Sequence, residues 1–378
     1  MRNRRLIRPL IVAVCVLSLA ACGGSPTSKG SSSGDKAALS KQEQHAKEVY
    51  DQINGLSGDE RTAKLVELAE GEGELSIYTS NTDIEDLISE FEDTYDIDVS
   101  VYRGNSESVL QRVLQEQKAD FFGNDVIETN ALELGVSSKE GFLYPYESEL
   151  RDKARKEAQG DKWTGTRFNV FVVGWNTKLV KKGEEPKSFE ELADPKWKGK
   201  VSMELGDVDW FTALYDYYLE QGKSEAEVKD LFTKVAANSK VAKGHTVQGE
   251  LLSAGQFAVT VSSYSHTIDK AAREGAPVTW RPKGTEPVQP LVVRPNGIAV
   301  MKNAANPAAA MLFVDFELTA GQKIFENDFR IGSVPTGTDP LAGLEVIPVP
   351  EQKLLDDPTT WDGLYADIVQ AGQQLGDG

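Results

Sequence analysis

The stretch Glu74–Leu114, ELSIYTSNTDIEDLISEFEDTYDIDVSVYRGNSESVLQRVL, decides the fold class. Leu75, Ile77 and Tyr78 form a short β-rich run that stops at the polar Thr79-Ser80-Asn81. Ile84, Leu87, Ile88 and Phe91 then recur at helical spacing, and Thr82 with Glu85 three residues on has the spacing of a capping box. Asp98–Tyr102 reads as a second strand, Arg103-Gly104-Asn105-Ser106 as a turn, and Val109, Leu110, Val113 and Leu114 as the start of a second amphipathic helix. Strands alternating with helices predict an α/β protein with a mainly parallel sheet. Ligands of such sheets bind beyond the carboxyl ends of the strands, where polar loops lead into helix N-termini whose free amides favour anionic or polyol oxygens. Ser80, Asn81, Asn105 and Ser106 are therefore expected to line a ligand cleft.

The same plan continues downstream. Asp125–Glu128 reads as a buried strand, and the loop after it places Asn130 at the same sheet edge. Phe168–Trp175, FNVFVVGW, is long for a strand and suits a segment crossing between lobes. A second set of strand-loop-helix units follows, with strands at Lys200–Glu204 and Phe257–Val261. It predicts a second sheet whose edge presents Asp207, Asp209, Ser263 and Tyr264, the last two in a loop Ser262–His266. Two such edges facing each other would form a cleft between lobes. Arg103 and Arg167 could hold an anionic cargo there through bidentate bonds. The expected lobes comprise residues 74–167 with 297–345, and 168–296 with 346–378; residues 37–72 form helices on the outside of the first lobe.

The chain opens MRNRRLIRPLIVAVCVLSLAACGG. A basic start, a short apolar run and the sequence Leu19-Ala20-Ala21-Cys22 predict a lipoprotein signal peptide over residues 1–21, with the mature chain lipidated on Cys22. A Gly- and Ser-rich stretch over residues 22–36 then serves as a flexible tether. Such an anchor holds a domain at the outer face of a membrane without a spanning helix. Cys15 would leave with the signal peptide, so no disulfide is expected. The 378 residues carry a net charge of −18, and loss of Arg2, Arg4, Arg5 and Arg8 would take it to −22. A surface of that sign repels nucleic acid, which excludes DNA binding. No HExxH pair is present and no G-x-S-x-G turn precedes a helix, which argues against an enzyme.

Three segments, Leu68–Ser80 (LAEGEGELSIYTS), Asp194–Val201 (DPKWKGKV) and Asn306–Phe316 (NPAAAMLFVDF) with Gly321-Gln322, together resemble the solute-binding proteins of ABC importers, in the branch that includes ferric-iron-binding proteins. The resemblance implies a two-lobed type II periplasmic-binding-protein fold. It also implies a monomer that captures a small-molecule or metal cargo between lobes and passes it to a membrane permease, with no resident cofactor. Ferric-binding members carry two adjacent tyrosines where this chain reads Ser263-Tyr264-Ser265, so only Tyr264 matches. The cargo is left open between ferric iron, with Tyr264 as a ligand, and an organic or phosphorylated solute. A solute sensor and a secreted enzyme are the rival classes.

Overall fold

The computed structural model describes residues 39–337 and 339–376. The expected signal peptide, Cys22 and the whole of the tether lie outside them. The described chain opens with two helices, α1 (Lys41–Asn54) and α2 (Gly58–Glu72). The predicted βαβα unit follows as β1 (Glu74–Thr79), α3 (Ile84–Thr94), β2 (Asp98–Arg103) and α4 (Ser106–Lys118), then β3 (Val126–Asn130), α5 (Ala131–Lys139) and the short α6 (Glu149–Asp152). The long strand β4 (Thr164–Asn176) leads into β5 (Val201–Glu204), α7 (Val208–Glu220), α8 (Glu225–Asn238), β6 (Ser239–Ala242), α9 (His245–Ser253), β7 (Val259–Tyr264), α10 (Ser265–Arg273) and β8 (Val278–Thr279). Strand β9 (Leu291–Val300) returns, followed by α11 (Pro307–Glu317), α12 (Ala320–Asn327), β10 (Ile331–Gly332), β11 (Val346–Pro348), α13 (Glu351–Asp356) and α14 (Pro358–Gly376).

Two half-sheets, each parallel at its outer strands, are joined by β4 and β9 into one hydrogen-bonded path, β2-β1-β3-β9-β4-β7-β5-β6. The expectation of a separate sheet in each lobe is thus amended: the crossing strands pair antiparallel with each other and with β3 and β7. Strand alternation divides the core. Phe168, Val170 and Val172 enter one apolar cluster with Trp280, Ile331 and Leu341, while Phe171, Val173 and Trp175 enter another with Trp210, Phe211 and Phe232. The first-lobe cluster gathers Leu75, Ile77, Leu87 and Phe91 around Ile298–Met301 and α11.

Every residue of α11 is buried, so its two acidic side chains have no water to solvate them. Asp315 is bonded by the Arg61 guanidinium of α2 and the Tyr146 hydroxyl. At the other end, Glu72 accepts the amides of Ala308 and Ala309 at 3.1 and 2.8 Å, capping the helix. Tyr50 of α1 donates to the Met301 carbonyl at 2.7 Å. The N-terminal helices are thereby built into the first core rather than laid over it.

Two local readings change. The capping box at Thr82 is absent: α3 starts at Ile84, and Thr82 instead accepts from Arg330 at 3.1 Å. Ser262, Ser263 and Tyr264 belong to β7, not to a loop, because pairing with Phe171 and Val172 of β4 carries the strand that far.

Removing one partner of a buried ion pair leaves an uncompensated charge. Arg61→Ala should therefore destabilise the protein by about 3 kcal/mol or more in urea unfolding. A loss under about 1 kcal/mol would show that Asp315 does not depend on α2.

Candidate functional site

The crossing strands set polar residues against one another on one face. Arg167 stands opposite Asn296, and Asn169 opposite Arg294. With period-two alternation these four form the floor of a cleft of about 910 Å³ between the lobes. Its walls are loops that feed helices. Ser80 to Asp83 precede α3, Asn105 and Ser106 start α4, and Asn130 precedes α5; from the other lobe come His245 to Val247 at the head of α9, and Tyr264, His266 and Thr267 at the head of α10. Five helix N-termini thus converge on one space. Gly244, at φ +94°, makes the turn into α9, and its amide donates to Glu204 Oε1 at 2.8 Å.

Four arginines face this space: Arg103, Arg167, Arg294 and Arg330. Three are buried and each is tied to a carboxylate. Arg167 pairs with Glu128, Arg294 with Asp209, and Arg330 with Asp83. Each of these guanidinium groups also keeps a buried Nε without a hydrogen-bond partner. Arg103, exposed at the end of β2, pairs with no carboxylate among the described residues. Lys270 of α10 reaches across the mouth to Asp83 at 3.3 Å.

Around these cations runs a neutral polar network. Asn296 donates to Asn130 Oδ1 at 2.9 Å, and Asn130 donates to the Ser106 hydroxyl at 2.8 Å. The buried acceptors Asn169 Oδ1 and Asn296 Oδ1 and the buried donor Asn81 Nδ2 have no partner. On the second lobe, Tyr264 stacks between His245 and His266, with ring centroids 3.9 and 5.4 Å away. Burial, with Arg330 and Arg167 nearby, pushes the His266 imidazole well below its ordinary value, so it is neutral. Burial also raises the Tyr264 phenol, against the pull of Arg294.

Of the residues expected from the sequence, Ser80, Asn81, Arg103, Asn105, Ser106, Asn130, Arg167 and Tyr264 line the cleft together. Asp207, Asp209 and Ser263 do not. Asp207 lies behind His245, its Oδ1 2.8 Å from the ring Nε2; Asp209 is the counter-ion of Arg294; Ser263 is enclosed within β7. The sequence reading missed Asn169, Arg294, Asn296, Arg330 and His245. The floor had left a trace: polar residues at every second position of otherwise apolar strands, Arg167 and Asn169 in one, Arg294 and Asn296 in the other. Arg330 carries no such trace.

Two lobes clasping a polar cleft at the ends of their strands are the arrangement of a solute-binding protein. The profile of the bacterial extracellular solute-binding proteins matches residues 117–357, and the chain belongs to that family. Iron uptake protein A1 of Synechocystis sp. is 24% identical over 296 residues, which cover 73% of this chain and 80% of that protein. The periplasmic binding protein AfuA from Actinobacillus pleuropneumoniae, solved with fructose-6-phosphate bound, superposes with a TM-score of 0.67 at 22% identity, covering 79% of this chain and 99% of that one. Iron-bound HitA from Pseudomonas aeruginosa superposes with a TM-score of 0.59 at 20% identity, covering 80% and 99%. The fold is therefore the two-lobed type II arrangement of periplasmic binding proteins.

Near Arg294 stand two further, half-buried carboxyls: Glu133 of α5 is pushed up to about 6 and Glu351 of α13 up to about 7, both mainly by desolvation and with Arg294 opposing. A carboxyl whose folded value lies above its unfolded one favours folding least when ionised, so this contribution is complete below about pH 4.5 and is lost as pH rises through 6 to 7. Glu351→Gln should accordingly gain thermal stability relative to the wild type between pH 5 and pH 8. A parallel pair of pH profiles would remove Glu351 from this cluster.

Proposed function

We propose that the protein is the membrane-tethered solute-binding component of an ABC importer and that its cargo is a small organic anion, a phosphate-bearing polyol above all. The observation that carries this is the concentration of hydrogen-bond donors in one cleft of a chain with net charge −18: five helix N-termini and four arginines converge there, Arg103 without a carboxylate partner among the described residues. Helix amides and guanidinium groups suit phosphate or carboxylate oxygens. The free acceptors Asn169 Oδ1 and Asn296 Oδ1 suit the hydroxyl donors of a polyol body. AfuA, bound to a sugar phosphate, has a cleft-forming fold of the same kind. The cargo and an ABC permease are the expected partners, and the protein works as a monomer without catalysis or a resident cofactor.

Ferric iron is the second reading, favoured by the relatives named for iron. The local chemistry supports it less. Tyr264 donates no phenolate while burial raises its hydroxyl and Arg294 occupies its oxygen. Among the described residues no group of three or more His, Cys, Asp and Glu gathers as a metal site.

Thermal-shift titration with sugar phosphates, inorganic phosphate, dicarboxylates and ferric citrate separates the readings, since a ligand that binds only the native state must raise its stability. Phosphate-bearing solutes should raise the midpoint, and Arg103→Ala should weaken their binding by about tenfold, the worth of one charged hydrogen bond. Stabilisation by ferric citrate alone, with a visible phenolate band lost in Tyr264→Phe, would instead assign iron. Among the described residues no helix is long and apolar enough to cross a membrane, and the proposed tether is a lipid on Cys22. Cys22→Ala should move the protein from the membrane fraction to the soluble fraction; retention on the membrane would refute lipidation there.

A further inference from the structure

Two fully buried carboxylates stand beside Arg167, and only one is paired. Glu128 of β3 accepts from the Arg167 guanidinium through one oxygen and from the Thr79 hydroxyl through the other. Glu317, at the last turn of α11, has no exposed surface, and neither of its carboxyl oxygens has a hydrogen-bond partner. The charged groups that act on it are Glu128 from β3 and Arg167 from β4, with the Thr166 hydroxyl alongside. Arg330 stands further out and is felt by Arg167 and Glu128. Helix α12 offers only the neutral amide of Gln322, which donates to the Glu317 backbone carbonyl at 2.7 Å. Asp315, two residues earlier on α11, is engaged by Arg61 and Tyr146.

A second negative charge in this space would be unsolvated, unbonded and close to Glu128. Burial and Glu128 accordingly hold the Glu317 carboxyl well above the usual carboxylate range, against the weaker pull of Arg167 and Thr166. We propose that Glu317 is a positioning residue that stands as a neutral carboxylic acid beside the Arg167–Glu128 pair, and that its neutrality sets the charge the cleft floor shows to an anionic cargo. With Glu317 neutral, one cation and one anion balance, and the outer edge of the Arg167 guanidinium is left to the cleft. With Glu317 ionised, the trio would carry net negative charge and repel the cargo. The effect on affinity rests on the anion reading above; the protonation of Glu317 does not.

Infrared spectroscopy tests the protonation without a ligand. The wild type should keep a protonated-carboxyl band after Glu133 and Glu351, at about 6 and 7, have ionised, and Glu317→Gln should lack it. Absence of the band from the wild type under those conditions, or its persistence in E317Q, would overturn the proposal even if the variant folds poorly. Sulfate, whose charge is constant over this range, is the affinity probe. Its binding to the wild type should weaken by up to about tenfold per pH unit across the interval in which the infrared band disappears, and binding to E317Q should change less than about twofold over the same interval. Equal pH slopes in both across that interval would overturn the link between Glu317 and the cleft. Sulfate binding to neither protein would count against the anion reading, and the infrared band would still decide the state of Glu317.

Discussion

Guanidinium groups buried beside carboxylates are what allow a polar floor to exist in the middle of this sheet. A bare charge in that position would cost several kcal/mol, so each inward-facing arginine arrives with a partner: Arg167 with Glu128, Arg294 with Asp209, Arg330 with Asp83. The pairs also pin elements distant in the chain. Arg294 on β9 fixes α7 through Asp209, and Arg330 fixes the loop before α3. The site and the connection between the lobes are one construction.

This arrangement reconciles an acidic protein with the anionic cargo proposed for it. The negative charge is spread over the outer surface, while helix dipoles and guanidinium edges gather at a single concavity where low-dielectric walls strengthen them. Pairing does not silence the arginines. Each carboxylate takes part of a five-donor fork, and the unengaged edge keeps its direction because the engaged one is held. The neutral amides of Asn130, Asn169 and Asn296 then set orientation without adding charge.

The first βαβα unit was legible because its signals are local: helical spacing at Ile84, Leu87, Ile88 and Phe91, and a polar stop after each strand. The lobe-crossing role of β4 was legible from its length. What escaped was pairing across long separations. Asp209 reads as a loop acid that could greet a ligand, and only the approach of Arg294, 85 residues further on, turns it into a counter-ion. Ser262 to Tyr264 read as a loop because serines are weak strand formers, yet pairing with β4 overrides that preference. Arg330 gave no signal, since its environment is assembled from Thr82, Asp83 and Arg167, all far upstream.

The bridge from Lys270 to Asp83 spans the mouth between the two lobes, and the lysine side chain remains half in water. An exposed ion pair of this kind contributes about 0.2–1 kcal/mol. It is a latch of low holding force: it marks the lobes as apposed but cannot keep them so against thermal motion. Residence of the captured molecule is then governed by the molecule's own bridging contacts, and an empty clasp is free to reopen.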